Sequence, residues 1–238
     1  MDTQTRHALK KDSFAQATAS SMGWLSGHRA GVVRWAIVVV LVLALGIGAL
    51  VFWNMQASAA DTALGAALDT YNAPLLQKGQ PAEAGSYANA ADRSKAANKQ
   101  FLAVAQQYGY LPEGAKARYF AGVTNQELGQ AAAAETELKA AADAWSWGDR
   151  NLSNLAKLAL AGIYHQTNRD AQAIAIYNEL AAKPSETVSA SVAKLDLADL
   201  YAATGKQDQA RKLWAEVKDS DKTGAAGQIA GQKLGPKQ

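Results

Sequence analysis

The chain has 238 residues, with 24 basic and 21 acidic side chains, three histidines and no cysteine. Without cysteine it can form no disulfide, no thiolate metal site and no thiol nucleophile. The first 34 residues hold five basic and two acidic side chains, which account for the whole net charge of +3, so residues 35–238 are neutral. This balance excludes an extended basic surface, and no nucleic-acid partner is expected.

The amino-terminal part predicts a membrane anchor. Residues 1–34 are basic and rich in Ser and Ala, and are predicted to be a largely disordered cytoplasmic tail. The 19 residues from Trp35 to Trp53 carry no charge, and 12 of the 17 between the tryptophans are Ile, Val, Leu or Phe. As a helix they span roughly 28 Å, close to the hydrocarbon thickness of a bilayer. The sequence therefore predicts a transmembrane helix at 35–53, with Arg34, Trp35 and Trp53 at the membrane interfaces.

The charges flanking this segment predict its orientation. Arg29 and Arg34 precede it, whereas the first basic residue after it is Lys78. The positive-inside rule then places the amino terminus in the cytoplasm and everything after residue 53 on the other side of the bilayer. A cleaved signal peptide is the alternative, because Ala57-Ser58-Ala59 imitates a cleavage site, although the apolar run is longer than signal peptides use.

After residue 53 the chain is rich in alanine and predicts helices almost throughout. Helix breaks are expected at Pro74, Gly79–Ser86, Tyr108–Gly114, Trp147–Asn151, Pro184 and Asp219–Thr223. The segments between them predict a degenerate first hairpin at 60–108, further hairpins near 115–148, 154–187 and 191–220, a capping helix at 225–234 and a frayed end at 235–238.

Three stretches within these segments, which we call registers, share one signature. Each has a small residue, then an aromatic or turn residue, then a second small residue and finally a large residue. The signature residues are Gly122, Gly129, Ala134 and Leu138 in the first register; Ala161, Tyr164, Ala173 and Tyr177 in the second; and Ala198, Tyr201, Gly205, Ala210 and Trp214 in the third. The first register is weaker, because Asn125 stands where the others have Tyr164 and Tyr201. This layout resembles the tetratricopeptide repeat (TPR), a pair of antiparallel helices.

The spacing has a physical reason. Small residues twelve apart allow the two helices of a hairpin to approach closely, and the large residue beyond them fills the space beside that contact. Gly129, Asn168 and Gly205 are expected to end the first helix of each hairpin in the left-handed conformation. The predicted fold class is therefore all-α, with one transmembrane helix followed by an α-solenoid of TPR hairpins over 54–234.

A basic cytoplasmic tail, one anchor and an alanine-rich repeat array are together similar to the YfgM family of bacterial inner-membrane proteins. The specific part of the likeness is residues 91–234, including LAKLALAGIYHQTNRDAQAIAIYNELAA and AKLDLADLYAATGKQDQARKLWAEV. The resemblance implies a periplasmic repeat domain related to that of the cell-division coordinator CpoB. It also implies contact with the SecYEG translocon through the anchor, and handling of exported clients or periplasmic chaperones through the repeats.

No constellation of residues indicates chemistry. His7 and His28 lie in the tail, and His165 has no second metal ligand three or four residues away. Glu135 and Glu137 are expected on different sides of their helix. There is no nucleophile elbow and no phosphate-binding loop. We expect no enzyme activity, no metal and no cofactor.

A protein-binding surface is the better candidate. In TPR arrays the first helix of each hairpin lines the concave face, and twelve positions are expected there. They are Lys116, Tyr119, Val123 and Gln126; Leu155, Leu158, Gly162 and His165; and Val192, Leu195, Asp199 and Ala202. Tyr119, Val123, Leu158, His165, Leu195 and Asp199 are the main binding candidates. The alternative is that several of these residues only pack against the neighbouring repeat.

The same positions predict the kind of ligand. Tyr119, Leu158 and Leu195 stand where a clamp for a terminal carboxylate would need Lys or Asn. An extended or helical apolar segment is therefore favoured over an acidic carboxyl terminus.

Three further points stay open in the sequence. Trp145 and Trp147 cannot both enter one helix core face, so one of them is a candidate interface anchor. Self-association is possible through the repeats or through the Ala44-x-x-x-Gly48 pair in the anchor. A scaffold for envelope or cell-division assembly is the alternative function.

Overall fold

The computed structural model describes residues 29–76, 85–143 and 148–235, which contain nine helices and no strand. The helices are α1 (Arg29–Tyr71), α2 (Ala90–Gln107), α3 (Pro112–Glu127), α4 (Ala131–Ala142), α5 (Arg150–Gln166), α6 (Asp170–Ala182), α7 (Ala190–Ala203), α8 (Gln207–Ser220) and α9 (Ala225–Leu234). The chain divides into two compact units, Met1–Met55 and Gln56–Gln238. The predicted all-α fold class is confirmed.

The described part of the first unit is the beginning of α1. Every described side chain from Val33 to Met55 is exposed, and Trp35 and Leu45 are 71% and 74% exposed. Within the described residues, α1 is the one helix long and apolar enough to cross a bilayer. Its length and composition make α1 a candidate membrane span.

The end of α1 differs from the predicted arrangement. A separate helix was expected from Ala60 to Tyr71, but these residues are the last turns of α1. Residues 54–61 (NMQASAAD) contain polar side chains but neither proline nor glycine, so nothing in them breaks a helix.

The second unit is a stack of helical hairpins. The end of α1 pairs with α2, α3 with α4, α5 with α6, and α7 with α8, and α9 packs on the last hairpin. The first core is centred on Phe101, whose ring stacks on Phe120 with centroids 5.2 Å apart and meets Tyr71 edge-on at 6.2 Å. The last core places Trp214 and Val217 of α8 against the alanines of α9.

One turn geometry recurs between the two helices of the later hairpins. Gly129, Asn168 and Gly205 have φ angles of 72°, 58° and 78°, in the left-handed region. The residue after each donates its backbone N–H to the carbonyl five residues back, at 2.8, 2.7 and 2.8 Å. This bond caps the end of the first helix and reverses the chain.

A close approach explains the glycine in the first register. A Cβ at Gly122 would lie 2.5 Å from Cγ of Leu138 on α4, so no larger residue fits without displacement. The equivalent residues Ala161 and Ala198 are fully buried. Small residues therefore set the distance between the two helices of a hairpin.

The helix boundaries differ by a few residues from the expected hairpins. The hairpin expected from 115 begins at Pro112, and the one expected from 154 begins at Arg150, whereas the capping helix has its expected bounds. Proline and the aspartate cap at Asp149 are favourable at helix starts, which accounts for both early beginnings. Most of the tail 1–34, most of the Gly79–Ser86 break, Trp145, Trp147 and residues 236–238 lie outside the described residues.

Candidate protein-binding surface

The first helices of the later hairpins, together with α9, are the helices expected to line the inner side of the stack. Helix α3 contacts α5, and α7 contacts α9, so first helices of neighbouring hairpins lie side by side. Among the described residues, no contact of similar extent joins α4 to α6 or α6 to α8. The first helices α5 and α7 share a core cluster through Leu160 and Leu197. We call the surface formed by α3, α5, α7 and α9 the inner face.

Eleven of the twelve expected positions on the inner face are half-buried, but Leu195 is buried, at 8% exposure. Leu195 packs in one cluster with Ala198, Trp214 and the alanines of α9. The prediction that Leu195 binds a partner was therefore wrong, because α8 and α9 cover this side chain. It belongs to the core.

Two other candidates have a double role. Tyr119 packs against Ala115 and Leu152, and Leu158 packs against the core formed with Leu180. One side of each residue thus supports the neighbouring hairpin, as the alternative in the sequence suggested. Both keep a partly exposed edge on the inner face. Val123 is also half-exposed and joins none of the described core clusters.

Gly162 leaves an opening, a space free of other atoms, on the surface of α5. A Cβ built there has no atom within 4 Å, in contrast to the close contact at Gly122. Glycine inside a helix is less stable than alanine by about 1 kcal/mol, and no internal contact requires it here. Gly162 leaves the backbone of α5 open to close approach from outside.

His165 lies one turn after Gly162. Its Nδ1 is 2.7 Å from an Asp170 carboxylate oxygen at the start of α6. In the neutral ring this bond places the proton on Nδ1, so Nε2 is left as a hydrogen-bond acceptor. Among the described residues, no group of three or more His, Cys, Asp or Glu side chains could hold a metal ion.

Asp199 is already engaged at the carboxyl-terminal end of the inner face. Its two carboxylate oxygens accept from Nε1 of Trp214 at 3.0 Å and from Nζ of Lys233 at 2.7 Å. The Lys233 ammonium also lies 5.7 Å from the centre of the Trp214 ring. Asp199 therefore joins α7, α8 and α9.

Asp196, which the sequence analysis missed, lies one turn before Asp199 on α7. Its side chain is half-buried, and within the described part of the chain no hydrogen bond or ion pair reaches its carboxylate. Burial raises the pKa of Asp196 to about 6, and the charge of Asp199 adds to this effect. Burial also raises the pKa of the neighbouring Tyr177 to about 12, with a contribution from both aspartates. The signal in the sequence was a second acid, one turn before Asp199, in the otherwise apolar run LDLADLY.

Charged side chains away from the inner face form ion pairs between neighbouring hairpins. The Arg169 guanidinium donates to both oxygens of Glu135, at 3.1 and 2.6 Å, and lies 4.4 Å from the centre of the Tyr164 ring. Nζ of Lys139 is 2.6 Å from Glu135. Arg169, with Lys139, holds the pKa of Glu135 at about 2. This network ties α4 to the turn between α5 and α6.

The predicted membrane-interface residues lie on α1. Arg34 is exposed, and Trp35 and Trp53 are 71% and 48% exposed. The two tryptophans are 18 positions apart, which corresponds to about 27 Å along a helix. This separation suits aromatic side chains at the two faces of a bilayer.

Stacked hairpins with a half-exposed inner face, and with no metal-binding group among the described residues, define a helical-repeat protein of the protein-interaction class. The model of the tetratricopeptide repeat-like domain matches residues 33–235, and the chain belongs to this family. The match takes in the apolar part of α1 as well as the hairpins. Domains of this kind generally mediate protein–protein interactions and typically catalyse no reaction. No curated protein matches the chain.

Proposed function

We propose that this protein is anchored in the bacterial inner membrane by α1 and binds other proteins in the periplasm through the inner face of its repeats. Its place is beside the Sec translocon, where it handles exported clients or periplasmic chaperones. The observation that carries the binding function is the opening at Gly162, between the half-exposed side chains of Val123, Leu158 and His165. Glycine at position 162 makes α5 less stable than alanine would, and no internal packing contact requires it. This suggests that a partner contacts the helix here.

Two sequence features support the membrane placement. The apolar stretch of α1 has the length of one bilayer crossing, and the basic residues lie on its amino-terminal side. By the positive-inside rule, the repeats are then exported. Protease added to intact spheroplasts should digest residues after 53, and complete protection of the repeats contradicts this topology.

The proposed neighbours can be tested by photocrosslinking in membranes with the full-length chain. p-Benzoylphenylalanine replaces Trp53, Val123 or Gln172, one at a time. We expect translocon subunits from position 53, and chaperones or clients from position 123. Gln172, exposed on α6 away from the inner face, is the matched control.

The outcomes separate the two functions left open by the sequence. Wall-synthesis or division proteins at position 123, without translocon subunits at position 53, would favour the assembly scaffold. Identical products from positions 123 and 172 would contradict binding through the inner face.

A substitution at Gly162 tests the inner face directly. Gly162→Leu fills the opening with a good helix former, and the space around the glycine accepts a Cβ. We expect the crosslinks from position 123 to be lost while those from position 53 persist. Unchanged crosslinks from position 123 would show that the opening is not used.

A further inference from the structure

The polar groups around Gly162 differ from those at the amino-terminal end of the inner face. Lys116 lies at that end, and its ammonium is 3.8 Å from Glu113. Towards α7 the group available to a partner is an acceptor, the half-buried carboxylate of Asp196, which no hydrogen bond or ion pair within the described residues engages. A partner that donates hydrogen bonds therefore fits this half better than one that accepts them.

The charges on α7 leave one carboxylate uncompensated. Lys233 is engaged by Asp199, and Lys194 of α7 is engaged by Glu216 of α8. Asp196 has neither cation as an ion-pair partner. The carboxylates of Asp196 and Asp199 are thus accompanied by one ammonium, that of Lys233 on Asp199, which leaves this part of α7 with a net negative charge.

Partial burial makes the free carboxylate unfavourable in the unbound chain. Asp196 lies close enough to Tyr177 of α6 and to Asp199 for their charges to interact, and within the described residues the positive charge that acts on it is that of Lys233 on α9. An ionised group in such a place is stabilised by any cation brought to it. A binding partner is the source of a cation that the fold itself does not provide.

We propose that the segment bound by the inner face is apolar and carries Lys or Arg, and that its cationic group pairs with Asp196 while its apolar side crosses Gly162. This inference rests on the proposed function and specifies the chemistry of the partner. An acidic segment would place like charges together at Asp196 and Asp199, which is unfavourable. The proposed partner is thus a basic amphipathic segment of another protein.

The test measures binding of three fluorescein-labelled 16-residue amphipathic peptides to the full-length chain in phosphatidylcholine nanodiscs. The peptides contain Leu and Ala with Lys, Gln or Glu at the same polar positions, and empty nanodiscs correct for lipid binding. We expect the Lys peptide to bind at least tenfold more tightly than the Glu peptide. Asp196→Asn should weaken the Lys peptide about two- to fivefold, the range for a partly exposed ion pair, and leave the Gln peptide unchanged.

The matched control is Asp208→Asn, which removes the same charge from an exposed position on α8. Equal effects of Asp196→Asn and Asp208→Asn would show only a general charge effect and would overturn the proposal. Equal binding of all three peptides, abolished by Gly162→Leu, would also overturn it while leaving the inner face as the binding site. If Gly162→Leu weakens the binding of none of the three peptides, the proposed function itself fails at this surface.

Discussion

The contact between the first two hairpins includes polar side chains. At the same register position, the later hairpins have aromatic side chains. At the same register position the chain has Asn125, Tyr164 and Tyr201. Asn125 is 2% exposed and Tyr164 is 5% exposed, so both are core residues. The side-chain amide of Asn98 on α2 lies 3.0 Å from Oδ1 of Asn125, 2.9 Å from the Thr124 hydroxyl and 3.0 Å from the Ala121 carbonyl.

This difference shows how a repeat array can specify the order in which its hairpins pack. Hydrogen bonds between buried amides need one geometry, whereas apolar contacts accept many. Glu127 adds to the first junction, because its carboxylate accepts from the Tyr71 hydroxyl at 2.6 Å and from Ser94 at 2.5 Å. The first hairpin is thereby distinguished from the others although its helices are of the same kind.

The largest effect is expected from making the second register of the repeat signature resemble the first. Tyr164→Asn removes a buried ring, its contact with Arg169 at 4.4 Å, and leaves an amide without the partner that Asn125 has. We expect a loss of about 3 to 5 kcal/mol of unfolding free energy. Urea unfolding of the full-length chain in detergent micelles, followed by circular dichroism, measures it. A loss below about 1 kcal/mol would mean that the aromatic is not a core element.

The polar junction itself can be broken at Asn98. Asn98→Ala leaves the buried side chain of Asn125 without this donor, and we expect a loss of about 2 to 3 kcal/mol. The same unfolding measurement on Asn125→Ala and on the double variant completes a double-mutant cycle. The double variant should lose clearly less than the two single losses together, whereas strict additivity would rule out coupling across the junction.

The glycines allow a comparison within the first helices. Gly122→Ala forces a Cβ against Leu138 and should destabilise the chain by about 1 to 3 kcal/mol. Gly162→Ala is the matched control, and it should raise the unfolding free energy by up to about 1 kcal/mol. Hydrogen exchange in α3 and α5 locates the two effects. Equal destabilisation at both sites would show that Gly162, too, is required by internal packing.

The last prediction concerns a small change in unfolding free energy at Asp196. Unlike Asn98, a buried polar group with hydrogen-bond partners, Asp196 has none within the described residues. Its pKa of about 6 is above the ordinary value of 3.8, so between these values the folded chain binds more protons than the unfolded chain. Stability therefore falls as the pH rises from about 4 to 6, and the loss stays constant above that. Asp196→Asn should flatten this dependence and raise the unfolding free energy at pH 7.5 by roughly 1 to 2 kcal/mol. Unfolding curves at pH 4.5 and 7.5 test it, and a lower stability of the variant at pH 7.5 would contradict the assignment.

The repeat pattern was predictable because it rests on local spacing. Gly129, Asn168 and Gly205 were found from their positions alone, and all three have the left-handed conformation. The partner of Asn125 was not predictable, since Asn98 lies 27 residues earlier on another helix. The continuity of α1 was missed because its polar residues 54–61 resemble a boundary, although they are compatible with a helix.

For the binding surface, the register predicted which positions point inward but not what covers them. Leu195 follows the register of the inner face, yet α8 and α9 bury it. Lys233, which neutralises Asp199, comes from a helix 34 residues further along the chain. Only the packed structure shows that Asp196 is left without a cation while Asp199 has one.

The recurring turn has a consequence for how such a chain can evolve. Arg169 follows the left-handed Asn168 and lies over Tyr164, and Lys206 follows Gly205 and lies over Tyr201 at 5.4 Å. Because each turn and its cation–ring contact lie within one hairpin, tandem duplication of a later hairpin would copy both intact. The amide pair of Asn98 and Asn125 joins two hairpins, so duplication of either hairpin alone would not copy it.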